Sequence, residues 1–214
     1  MNLEPKKIKN CLESAQNVRE VYFAYHHGTN DMHVSVNKLL EIVRSSYSKK
    51  VTLYFHGDSH EKHHIHSFLQ INSDDSYDIC LMSGMTNCWN RFALCKELFH
   101  VILDEESVRN KTLQVHLQDF KASMMDASVD GAESSVSEML TEFAAMQFLF
   151  PYAKRLKVIE EFEKRVSEGE AKKDIYKNIA ERFRIPRLYV ENYLGEFLID
   201  YFDPISWNEK SDER

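Results

Sequence analysis

Apolar residues recur at Val36, Leu39, Leu40 and Val43, the spacing that lays one stripe along an α-helix. The first fifty residues read as helical, with "HHGTND" (26–31) as the break before the second helix and Asp31 as its expected N-cap. The rhythm then shortens. "VTLYFHG" (51–57), "IHSFLQI" (65–71) and "YDICLM" (77–82) are brief, rich in β-branched and aromatic residues, and divided by polar or glycine-containing breaks. They predict three strands of a small antiparallel sheet.

From Trp89 the period is helical again. "NRFALCKELFHVILD" (90–104) is almost unbroken in its apolar body, which predicts a buried helix with Asn90 as its cap. A segment of loop-like composition (105–135) follows, with helical potential at "LQVHLQDFKASMM". "VSEMLTEFAAMQFLFP" (136–151) then gives a second buried helix, ended by Pro151. The final third carries dense mixed charge over an apolar stripe, as solvent-facing helices do. Its pairs Glu160 with Lys164 and Glu161 with Arg165 stand at i,i+4. "DIYKNIAERFRIPRLYVENYL" has the rhythm of a helix-turn-helix hairpin. The expectation is an α+β protein, a small sheet packed on helices and followed by a helical C-terminal part.

Charge narrows the partners. The chain has 27 Lys and Arg against 34 Asp and Glu, a net −7, so no global positive field draws in a nucleic-acid backbone. In the hairpin Arg187 is set against Glu191 and Glu196, and DNA binding is disfavoured. Cys11, Cys80, Cys88 and Cys95 form no Cys-x-x-Cys pair and follow no apolar leader, which points to reduced, mostly buried thiols and a cytoplasmic location. The stretch 143–153 is the longest uncharged run near the middle, far short of the ~20 residues that span a bilayer, so no membrane role is expected.

The chemistry concentrates in "CKELFH" (95–100). His-Glu-x-x-His on a helix aims two imidazoles at one zinc, beside a glutamate that takes a proton from the metal-bound water. Here the first position is Lys96, followed by Glu97 and His100, all within about 100° of arc on one helix face. Glu138 and Glu142 stand one turn apart on the next buried helix, so either can point at the same spot. Cys95 lies about 100° from Lys96 and belongs to the core. Buried ionisable groups need partners, since an unpaired buried charge is costly.

Three elements in order carry a resemblance. "RFALCKELFH" (91–100) has the form of an Arg-Phe-x-Leu run entering a Glu-x-x-His helix. "EMLTEFAAMQFLFP" (138–151) has a glutamate ahead of Ala-Ala and a terminal proline. "IAERFRIP" (179–186) supplies an Ile-Ala-x-x-Phe-x-Ile-Pro segment. Together, over residues 30 to 195, the chain resembles the ImmA/IrrE family of zinc metallopeptidases. That resemblance implies zincin-like helices under the sheet, with a peptidase domain over 1–155 and a helical region over 156–214. It also implies an activity on a helix-turn-helix repressor of a phage, mobile-element or stress-response regulon. Carried over by position, His100 is a zinc ligand, Glu97 the general base, and Glu138 or Glu142 the third ligand.

Lys96 departs from the pattern, because a protonated lysine donates hydrogen bonds and ligates no metal. Two readings follow: a peptidase whose degenerate site finds a substitute ligand, or a protein-binding pseudopeptidase in which Lys96, bridging Glu97 and Glu138 or Glu142, replaces the charge of the metal. His56, His60, His63, His64 and His66 are a further metal candidate, weighed against a solvated turn between strands. His64 and His66 share one strand face from which a ring can approach Lys96.

Overall fold

The structure, a computed structural model, describes residues 5–26, 33–57, 67–103 and 132–194. Asp31, the segment 105–131, Glu196 and four of the five clustered histidines (His60, His63, His64 and His66) lie outside the described residues. Within them the chain is α+β, with a three-stranded sheet packed on helices.

The helix α1 (Pro5–Tyr25) buries Ile8, Cys11, Leu12, Ala15, Val18, Arg19 and Tyr22, one stripe at helical spacing. The short helix α2 (Val36–Ser45) opens at Ser35, whose side chain accepts from the Lys38 amide and caps it. The strands β1 (Val51–His56), β2 (Ser67–Ile71) and β3 (Tyr77–Met82) follow. Then come the two long helices of the core, α3 (Asn87–Leu103) and α4 (Ala132–Leu149). Three further helices complete the described chain: α5 (Tyr152–Ser167), α6 (Lys172–Phe183) and α7 (Arg187–Tyr193).

The sheet is mixed, not wholly antiparallel. Its order is β1-β3-β2, with β2 antiparallel to β3 and β1 parallel to it. A tight turn at Asn72–Ser76 joins β2 to β3, closed by Asn72 N–H on Ser76 O at 2.8 Å. By contrast ten residues (57–66) separate β1 from β2, more than a hairpin turn requires. β3 lies between the other two strands.

α3 starts a turn earlier than Asn90, because Thr86 Oγ1 accepts from the Trp89 amide and caps the helix there. Asn90 falls inside the first turns, where its amide donates to Met85 O at 3.2 Å. α3 buries Phe92, Ala93, Leu94, Cys95, Leu98, Phe99 and Val101 as well as Glu97, so it touches protein on nearly every side. α1 lies along α4: the Cys11 thiol donates to Leu140 O and Arg19 donates to Phe148 O at 2.6 Å. Tyr22 and Phe99 both meet Phe148 edge-on, at 5.7 and 5.9 Å between ring centres.

The hydrophobic core runs from Ile8 to Leu194 and includes residues of α5, α6 and α7. Arg91 ties three parts of the chain together, donating to Val34 O ahead of α2 and to Phe183 O and Arg184 O at the end of α6. The α6–α7 hairpin turns at Arg184, which takes a left-handed conformation (φ 53°) as the C-cap of α6. Pro186 then opens α7, where its missing N–H leaves no bond unmade. On α5 the expected pair of Glu161 with Arg165 forms at 3.2 Å. Lys164 reaches forward to Glu168 at 3.9 Å, not back to Glu160. All four cysteines are free thiols, three of them buried. Among the described residues no helix is long and apolar enough to cross a membrane.

Phe148 is fully buried at the meeting of α1, α3 and α4. Phe148→Ala should therefore lower the unfolding free energy by about 3–5 kcal/mol, read from urea denaturation.

Candidate functional site

The charged residues of the α3 motif meet α4 and β2 in one cluster. Lys96 Nζ stands 2.5 Å from Glu138 Oε2 and 3.2 Å from Glu97 Oε1. The second oxygen of Glu138, Oε1, lies 3.1 Å from His100 Nε2. Glu138 thus binds the lysine with one oxygen and the histidine with the other. Glu97 is also held by Ser67, the first residue of β2, whose hydroxyl donates to Oε1 at 2.6 Å. Both donors of Glu97 converge on that one oxygen.

Helical spacing explains the arrangement. Lys96 and His100 are four residues apart and lie one above the other on α3, while Glu138 faces them from α4. Thr141, one turn after Glu138, places Oγ1 3.1 Å from His100 Nε2 and 2.9 Å from Glu138 O. With the His100 N–H donating to Glu138, the Thr141 hydroxyl donates back to its own helix.

Burial and charge set the protonation states. Burial disfavours the Lys96 ammonium, yet the Glu97 and Glu138 carboxylates outweigh it and hold the lysine above its ordinary value. Burial likewise raises Glu138, but His100 and Lys96 overcome that and hold it well below the usual carboxylate range. The Lys96 side chain is 14% exposed and that of Glu97 2%, so their charges are paired away from bulk water. The Glu138 side chain is 39% exposed, and solvent screens its half of the pair.

The two candidate carboxylates divide. Glu138 joins the lysine and the histidine, whereas Glu142 accepts from the Tyr189 hydroxyl at 2.9 Å. Burial raises the Glu142 carboxyl, against the lowering effect of that hydrogen bond and of Lys96. The Tyr189 phenol is raised in turn by burial and by the Glu142 charge. Tyr189 also packs on Phe92, with ring centres 3.9 Å apart. Glu142 therefore joins the C-terminal hairpin to α4 through Tyr189.

A catalytic zinc takes three protein ligands and leaves a position open for water. Here the position of the first motif histidine carries an ammonium lodged between Glu97 and Glu138, in the place a cation would need. Glu97 Oε1 is occupied by two donors, which leaves that oxygen unsuited to a water proton. Among the described residues no group of three or more His, Cys, Asp and Glu side chains is disposed to hold a metal ion. As arranged, these residues do not fit zinc.

No family model and no curated protein matches the chain. Among solved structures it is similar to a Mycobacterium tuberculosis transcriptional regulator, at 12% sequence identity and a TM-score of 0.45. That likeness covers 88% of this chain and 51% of the regulator, so the chain spans about half of the regulator's length.

Sequence reading places Lys96, Glu97, His100 and Glu138 together, and they are together. It misses Ser67, Thr141 and Tyr189. Thr141 was open to it, because three residues after Glu138 is one helical turn. Ser67 and Tyr189 join through the sheet and the hairpin, and no local spacing announces either.

Linkage fixes the sign of the pH response. Glu138, held low, contributes stability above about pH 4.3 that is lost as the pH falls further. Lys96, held high, contributes fully below about pH 10.4, and its share fades as the pH rises past that. Glu142, held high, works in the opposite direction on the acid side. Lys96→Met should unfold about 1–3 kcal/mol more easily in urea at pH 7, the lower end reflecting solvent at Glu138. That deficit should shrink below about pH 4 and above about pH 10.4.

Proposed function

We propose that this chain is a non-catalytic, cytoplasmic protein-binding module on a metallopeptidase-like scaffold of the ImmA/IrrE kind. Its partner is a helix-turn-helix repressor or a similar regulator of a phage or mobile element. The observation that supports this reading most is the Lys96 ammonium between Glu97 and Glu138, 3.2 and 2.5 Å away. A fixed monovalent cation there satisfies the two carboxylates that the family resemblance would assign to a zinc site, and it carries no water to activate. The same substitution removes a first-position imidazole, and losses even among groups that only orient a ligand lower metal affinity by about 10–100-fold.

The contacts of the cluster agree with a structural role. His100 and Glu138 face each other, Ser67 anchors Glu97 to β2, and Glu142 holds the hairpin through Tyr189. Each bond joins one element to another.

Elemental analysis of the purified protein, before and after incubation with zinc, tests the reading. The expected result is well under one zinc per chain. Lys96→His should then take up one zinc per chain and lose it again when His100→Ala or Glu138→Gln is added. Stoichiometric zinc in the unaltered protein, abolished by His100→Ala, would show a working metal centre and end the pseudopeptidase reading. A folded Lys96→His protein that takes up no zinc would end the metallopeptidase ancestry instead.

A further inference from the structure

Among the described residues β1 is an edge of the sheet, with β3 on one side and no described strand on the other. Its even-numbered residues turn their backbone groups toward β3: Lys50 O accepts from Tyr77 N and His56 O from Ser83 N, both at 2.8 Å. In a parallel pair the N–H and C=O of one residue point the same way, so the odd-numbered residues turn theirs outward. Val51 obeys this parity, its carbonyl taken by the Arg44 guanidinium at 2.7 and 3.1 Å. Leu53 and Phe55 are the next two, and no described residue pairs with their outward N–H and C=O groups. Tyr54 is 50% exposed and Phe55 66%, so the C-terminal half of the strand presents aromatic side chains to solvent. An open, aromatic edge of this kind is a template for another strand.

The side chains of Leu53 and Phe55 line a cavity of about 610 Å³ between the sheet, α2 and α3. Leu81 and Leu94 add to its apolar wall, and Arg91 and Arg184 bring positive charge. All three hydrogen bonds of Arg91 go to backbone carbonyls, and neither arginine has a carboxylate within ion-pairing distance among the described residues. Burial lowers the Arg91 guanidinium below its ordinary value, and the neighbouring Arg184 charge pushes the same way. Two arginines with no carboxylate partner among the described residues thus line one cavity, Arg91 partly buried and Arg184 exposed. Arg184 also holds a left-handed conformation (φ 53°) that glycine or asparagine normally occupies, so its side chain sits there at some cost in backbone strain.

We propose that β1 is the edge on which a partner protein docks. An extended acidic segment adds to β1 as a fourth strand, sets an apolar side chain on Phe55, and two residues on places a carboxylate in the cavity beside Arg91 and Arg184. Alternation fixes that spacing, because residues i and i+2 of a strand share a face. The open edge supplies the backbone bonds, and the two arginines, which have no carboxylate partner among the described residues, select the charge. This rests on the protein-binding reading above but uses another part of the molecule. Around α3, Arg91 and Leu94 stand about 140° and 160° from Lys96, so the zinc test and the test of this edge fail independently.

The probe is a fluorescein-labelled ten-residue peptide of alternating threonine and valine, carrying one leucine and, two residues later, one glutamate. Fluorescence anisotropy against the whole protein should show saturable binding. Glutamine in place of the glutamate should weaken it about tenfold, and so should Arg184→Asn, a change compatible with the left-handed backbone. N-methylation of alternate peptide amides should abolish binding for one set of positions and spare it for the other. Phe55→Ala, on an exposed side chain, should weaken binding with no change in the circular dichroism of the protein. No saturable binding up to about 1 mM, equal effects of both methylation sets, or an unchanged affinity in Arg184→Asn would overturn the proposal. So would sedimentation showing a dimer that Phe55→Glu dissociates, since the edge would then belong to a second copy of the chain.

Discussion

A helix enclosed by protein on nearly every side has to neutralise, inside the molecule, whatever charge it carries. α3 is such a helix, and it carries an ammonium, a carboxylate and an imidazole within two turns. Removing ions from water is expensive, and the expense is recovered only when each has a close partner and its remaining hydrogen-bonding capacity is met. The neighbours of α3 answer to this demand. α4 must present Glu138 opposite Lys96 and His100, and β2 must begin with a hydroxyl beside Glu97. The register of the sheet on α3 and the rotation of α4 against it are both fixed by three or four polar contacts within an apolar core. Apolar side chains alone would tolerate a slide or a small rotation far better than these ion pairs do.

The same contacts explain how the C-terminal helices are held. Tyr189 of α7 reaches Glu142 of α4 while its ring covers Phe92 of α3, and Phe143 meets Tyr193 with ring centres 6.2 Å apart. Arg91 binds the carbonyls that end α6. The hairpin that reads in sequence as a helix-turn-helix is thus anchored along one face by the helices of the charged cluster. A carboxylate read as a spare metal ligand serves here as a fastening between two parts of the chain.

Periodicity made most of the fold legible. The buried helices over α3 and α4, the break at Pro151, the three short strands and the Ile-Pro hairpin all follow from spacing and from the conformational limits of proline. The order of the strands was not accessible in the same way. Apolar alternation reports which face of a strand is covered but is silent on which edge it pairs, and a ten-residue connection admits a crossover as readily as a loop. The site divides along the same line. Lys96, His100 and Glu138 were legible because helical spacing is a local property. Ser67 and Tyr189 entered through tertiary contacts between residues 30 and 47 apart, where no local rule operates.

The pairing of α1 with α4 has a bearing on how the protein is made. The bonds from Cys11 to Leu140 O and from Arg19 to Phe148 O each join residues 129 positions apart. At about 5–20 residues per second, ribosomal synthesis delivers the second member of each pair on the order of ten seconds after the first. For that interval the apolar stripe of α1 has left the ribosome without α4, the helix it packs on most extensively. The α1 stripe can meet α2 and α3 early, through contacts such as Ser35 N–H on the Tyr22 hydroxyl, but its packing on α4 completes only late in synthesis.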